Sequence, residues 1–103
     1  MPGLLLILTE GQGARFRAAC ELAASVAAMG RPVRVLAKGE AAGLLARDGA
    51  ALSLLSELGA ELLVCQTDLA EARLSAEAMP AGVAAAGMVH ALRGTEDWQL
   101  LLA

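Results

Sequence analysis

Two short runs, Leu4-Leu5-Leu6-Ile7-Leu8 and Leu62-Leu63-Val64, are apolar at every position. A strand with one wet face alternates apolar and polar residues, so a run without alternation belongs to a strand covered on both faces. Helices supply such cover, and the segments between the runs carry helical spacing. From Ala14 to Met29, Phe16, Cys20, Ala23, Ala24 and Ala27 fall on one face; Gly30 ends that helix and Pro32 blocks its resumption.

The same alternation continues along the chain. Val33 to Ala37 is a second strand, interrupted only by Arg34, and Lys38-Gly39 closes it. Glu40 to Ala46 forms a short helical turn, and beyond Asp48-Gly49 the residues Ala51, Leu52, Leu55 and Leu58 resume helical spacing until Gly59. Leu62 to Cys65 is the central strand. A helix from Asp68 to about Arg73 follows it, with Asp68 and Glu71 at the spacing of a capping box. Val83 to Ala86 makes a fourth strand, Met88 to Leu92 a helix, and Trp98 to Leu102 the last strand.

Short strands alternating with helices across one domain, residues 1–103, predict a three-layer, doubly wound α/β fold. Its five-stranded sheet is mainly parallel, with helices on both faces. In the common order 2-1-3-4-5, strands one and three are neighbours and ligands bind at their carboxyl ends. That order places Thr9, Glu10 and Gly11 beside Cys65, Gln66 and Thr67, with Asp68 lining the same cleft.

Cys65 is the residue with chemical potential. At a strand's carboxyl end, beside a helix start, backbone N–H groups favour a thiolate over a thiol. Against this stands the ordinary role of a free cysteine as a small buried hydrophobe. Asp68, a carboxylate nearby, also works against ionisation. Cys20 sits on the apolar face of the first helix and belongs to the core. Glu10 is either a general base near Cys65 or a solvated loop residue.

Other site chemistries lack their residues. Gly11-Gln12-Gly13 misses the third glycine of a dinucleotide loop, and no acidic residue ends the second strand, so no cofactor is expected. One histidine, His90, and two distant cysteines have no metal-ligand spacing. Trp98 is expected to fill core or interface. A net charge of -3 with eight scattered basic residues argues against a nucleic-acid partner. The longest uncharged stretch, between Glu77 and Arg93, contains Pro80 and is shorter than the roughly 20 residues of a membrane helix. No secretory signal leads the fold, so a cytoplasmic location is expected. Hydrophobic residues make up 57% of a body this small, more than its interior accommodates, which predicts a homo-oligomer.

With these residues in hand, the chain resembles the DsrE/DsrF-like family of small sulfur-relay proteins over nearly its whole length. The matching features are Leu5-Leu6-Ile7-Leu8-Thr9, the helix ending Ala28-Met29-Gly30, and the helix end from Leu55 to Gly59. They continue with Leu63-Val64-Cys65-Gln66-Thr67, Leu69-Ala70-Glu71-Ala72-Arg73-Leu74, and Gly82-Val83 leading to Gly87-Met88. The resemblance implies a persulfide carrier rather than a turnover enzyme. It further implies a trimer or hexamer, sulfur donor and acceptor proteins as partners, and Cys65 as the sulfur-bearing residue. Where many relatives have a second cysteine three positions on, this chain has Asp68, so no local dithiol forms. The alternative is a non-catalytic oligomeric module binding a small ligand or a protein, with Cys65 structural. A nucleotide-binding domain built on the first glycine loop is a third possibility.

Overall fold

The computed structural model describes residues 2–103. Among these, five strands form one sheet: β1 (Leu4–Leu8), β2 (Val33–Ala37), β3 (Glu61–Cys65), β4 (Val83–Ala86) and β5 (Gln99–Leu102). Every pairing is parallel, and the order across the sheet is β4-β3-β2-β1-β5. The helices are α1 (Gly13–Ala28), α2 (Gly39–Arg47), α3 (Ser53–Glu57), α4 (Gln66–Glu71) and α5 (Met88–Leu92), with 3-10 turns at Gly49–Leu52 and Ala76–Ala78. The α/β class and the five parallel strands agree with the sequence pattern.

Because side chains alternate along a strand, each apolar run supplies both faces of the sheet. Leu4, Leu6, Leu8, Val33, Val35, Ala37, Leu62 and Val64 face one way. They pack with Ala19, Ala23 and Val26 of α1, Ala41, Ala42 and Leu45 of α2, Leu55 of α3 and Leu69 of α4. Leu5, Ile7, Leu36, Leu63 and Cys65 face the other way and pack with Ala86, Ala91 of α5 and Trp98. One side of the sheet is thickly covered and the other thinly.

This arrangement corrects the expected order 2-1-3-4-5. Strands β1 to β4 are laid down side by side, so β2 lies between β1 and β3. Both orders satisfy strand–helix alternation. In the observed one, the stripes of four helices merge into a single continuous cluster, and only the return from β4 to β5 puts a helix on the opposite face.

Arg34 fastens that lone helix. Its Nη1 donates to the carbonyls of Ala91 at 2.7 Å and Arg93 at 2.9 Å, groups left open at the end of α5. Its Nε donates to Glu61 Oε1 at 2.6 Å, and its guanidinium lies 5.3 Å from the Trp98 ring centre. The charge that interrupts β2 in the sequence is thus a latch holding the thin layer in place. No helix among the described residues is long and apolar enough to cross a membrane.

Candidate functional site

The carboxyl ends of β2 and β3 are adjacent, which brings Lys38 rather than Thr9 next to Cys65. Two strand spacings, roughly 10 Å, separate the ends of β1 and β3. Thr9 turns instead towards β5, donating to the Ala103 carbonyl from its backbone at 2.6 Å and its hydroxyl at 3.1 Å. Glu10 pairs with Arg15 at 3.5 Å, and the Gly11 N–H donates to Glu40 Oε1 at 2.7 Å. These three expected cleft residues therefore stand apart from the thiol. Gln66 and Thr67 follow Cys65 directly and are exposed.

At the thiol itself, Lys38 Nζ donates to Cys65 Sγ at 3.1 Å. The same ammonium lies 3.4 Å from Asp68 Oδ2, and that oxygen accepts the backbone N–H of Gly39 at 2.8 Å. Asp68 is not the cap of its helix. Helix α4 begins at Gln66, Cys65 occupies the capping position without a side-chain cap bond, and Asp68 sits within the first turn. Its carboxylate is spent across the gap, on the turn after β2. Gly39 presents its N–H there from a left-handed conformation, φ +53°, which a glycine adopts without the steric cost a Cβ brings.

The electrostatics follow from this geometry. The hydrogen bond to Cys65, more than the attraction of Cys65 and Asp68 and against some loss of hydration, raises Lys38 above the ordinary lysine value, so it remains an ammonium. The Gly39 N–H, followed by Lys38, holds Asp68 below the usual carboxylate range, against the opposing effect of burial. The site thus aims an ammonium, positioned by a carboxylate, at the sulfur.

Cys65 does not open onto a cleft as the sequence suggests. Only 4% of its surface is exposed, whereas the Lys38 side chain beside it is 31% exposed. The sulfur lies beneath the lysine, among Leu63, Ala86 and Ala91. Cys20 is the more accessible thiol. It packs partly buried against the core, as its place on the apolar helix face implies, and also lines a groove of about 520 Å³ between α1 and α3, walled by Ala24, Leu54, Leu55 and Leu58. Burial still pushes the Cys20 thiol up, which keeps it protonated.

Lys38 is the residue of this candidate site that sequence spacing missed. Its signal was its place directly after β2, and its meaning depended on β2 being the neighbour of β3. His90 is exposed on α5, and no cluster of metal-binding side chains occurs among the described residues.

No protein-family model matches this chain, and no curated protein does. Two solved structures share its fold over the full length of both chains. MTH1491 from Methanobacterium thermoautotrophicum, a protein of unknown function, superposes with a TM-score of 0.83 at 19% identity. The ychN protein from E. coli superposes with a TM-score of 0.83 at 14% identity.

Proposed function

We propose that this protein is a DsrE/DsrF-like sulfur carrier in which Cys65 holds a persulfide and passes it between partner proteins. The observation that carries this reading is the Lys38 ammonium donating to Cys65 Sγ at 3.1 Å. In the loading step the Cys65 thiolate attacks the outer sulfur of a donor persulfide. The donor's S–S bond breaks, its thiolate leaves and takes up a proton, and the new S–S bond is on Cys65. An acceptor thiol reverses the step, so no oxidant or reductant is consumed. Lys38 stabilises the negative sulfur at each stage and swings aside to admit the partner, since Sγ is covered at rest.

Self-association belongs to the same proposal, with a trimer or hexamer expected from the family resemblance. Leu100 and Leu102 of β5 pair with Leu5 and Ile7, so they project from the thinly covered face that also holds Cys65. They are 64% and 72% exposed, and Val89 on α5 is 74% exposed. An edge strand with outward leucines has both apolar surface and backbone groups to satisfy in another subunit. A cytoplasmic location, where thiols stay reduced, suits such chemistry.

The test is incubation with a small-molecule persulfide followed by intact-mass measurement. One added sulfur is expected, retained in Cys20→Ser and absent in Cys65→Ser. A wild type that gains no sulfur refutes carriage. The burial of Cys65 favours the second reading, an oligomeric binding module with a structural cysteine, which that outcome supports.

A further inference from the structure

We propose that Cys65 and Lys38 form an oxidant-modified site, in which the lysine amine captures Cys65 after peroxide has oxidised it, closing a sulfur–nitrogen cross-link between the ends of β2 and β3. This modification goes beyond sulfur carriage and does not depend on it.

Three structural facts lead here. Nζ and Sγ are 3.1 Å apart, already the separation of a near-attack pair. Cys20 cannot serve as a resolving thiol within the same chain, because it packs with the helices on one side of the sheet and Cys65 lies on the other. The cluster that buries the sulfur, Leu63, Ala86 and Ala91 among it, offers no nucleophilic side chain. A sulfenic acid formed at Cys65 therefore has the Lys38 amine beside it, held in place by the Asp68 carboxylate at 3.4 Å.

The chemistry balances with a single equivalent of hydrogen peroxide. The Cys65 thiolate attacks one peroxide oxygen and the O–O bond breaks. The departing hydroxide becomes water, leaving Cys65 as the sulfenic acid, oxidised by two electrons. That hydroxide takes its proton from the Lys38 ammonium, 3.1 Å from the sulfur, which leaves Nζ neutral. The neutral Nζ attacks Sγ, the S–O bond breaks, and the leaving hydroxide takes a proton from the newly bonded nitrogen as a second water. Sulfenic acids condense with nitrogen in this way. The protein ends two hydrogens lighter, and an excess of thiol restores both side chains through a mixed disulfide. The cross-link shields the sulfur from irreversible oxidation and blocks its nucleophilic chemistry until it is reduced.

The experiment treats the full-length protein with about one equivalent of hydrogen peroxide and reads high-resolution intact mass, with peptide mapping under non-reducing conditions. Expected is a species lighter by two hydrogens, with a cross-linked pair of peptides carrying Lys38 and Cys65, abolished by dithiothreitol. Cys20→Ser forms it, while Cys65→Ser and Lys38→Met do not. Lys38→Arg keeps the positive charge without an amine, so in that variant Cys65 is expected to accumulate as a dimedone-trapped sulfenic acid. Oxygen addition to the wild type at the rate and yield seen in Lys38→Arg overturns the proposal. So does a two-hydrogen loss that persists in both Lys38 variants, or a cross-link that retains an oxygen. Because persulfide loading is measured on separate samples, its failure leaves this result standing.

Discussion

The carboxylate of Asp68 accepts the backbone N–H of Gly39 at 2.8 Å, tying the turn after β3 to the turn after β2. With that tie in place the ammonium of Lys38 is held between two acceptors, Asp68 and Cys65, instead of ranging through solvent. The site is a product of two turns, and disturbing either one is expected to affect the sulfur.

Replacing Lys38 by Met keeps the aliphatic stem over Cys65 and removes the charge. Alkylation of Cys65 by iodoacetamide at neutral pH is expected to slow about tenfold, the rate equivalent of losing about 1.5 kcal/mol of charge-assisted hydrogen bonding. Lys38→Arg should recover most of it. Equal rates in wild type and Lys38→Met, measured in the Cys20→Ser background, contradict the assigned role.

Asp68 gives the fold an acid-sensitive element. Its carboxyl is held below the usual range in the folded chain, so its contribution to stability is fully present above the unfolded carboxyl value of about 3.9. That contribution fades as pH falls through the lower folded value. Asp68→Asn retains an oxygen for the Gly39 N–H but cannot ionise. Urea denaturation across a pH series is expected to show a shallower acid limb in this variant, with about 1 kcal/mol lost near neutrality. Parallel pH profiles argue against the tie. Lys38 acts in the opposite sense: its contribution is present below the ordinary lysine value and disappears as pH rises through its raised folded value.

Arg34 is expected to be worth more than its place in β2 suggests. Arg34→Ala removes two carbonyl contacts, an ion pair and the Trp98 stack, and should cost about 2 to 3 kcal/mol in chemical denaturation. Arg34→Lys, which lacks the planar fork, should recover less than half of that. As α5 loosens, Cys65 beneath the thin layer should alkylate faster. Full rescue by lysine is inconsistent with a latch built on geometry.

Leu100→Lys together with Leu102→Lys is expected to shift the protein towards monomer in sedimentation velocity without loss of helical signal, since both side chains are largely exposed within one chain. A wild type that is monomeric at micromolar concentration removes the premise.

Much of the fold is written locally. The unbroken apolar run Leu4–Leu8 calls for cover on both faces wherever it sits, and the structure places that strand at the expected residues. Val83–Ala86 and Met88–Leu92 likewise occur where their spacing puts them. Gly30 and Gly59 end helices at positive φ because only there is a missing Cβ an advantage. Strand order is not local. It depends on which helix stripes join across the sheet, a free-energy comparison between whole arrangements, and the alternation of elements is the same for both. The candidate site inherits that dependence. Cys65 and Asp68 were legible as a thiol and a carboxylate at a strand end, but the sequence paired them with Thr9, Glu10 and Gly11, which a different neighbour relation carries away. Lys38 meets the sulfur because β2 lies against β3, and Cys65 is covered by that lysine together with the thin layer of Ala86 and Ala91. The sequence determined which segments become strands and helices, since those preferences act over a few residues. Tertiary structure decided which strand ends meet, and therefore which charge faces the sulfur, because contacts between residues 27 positions apart exist only once the sheet has assembled.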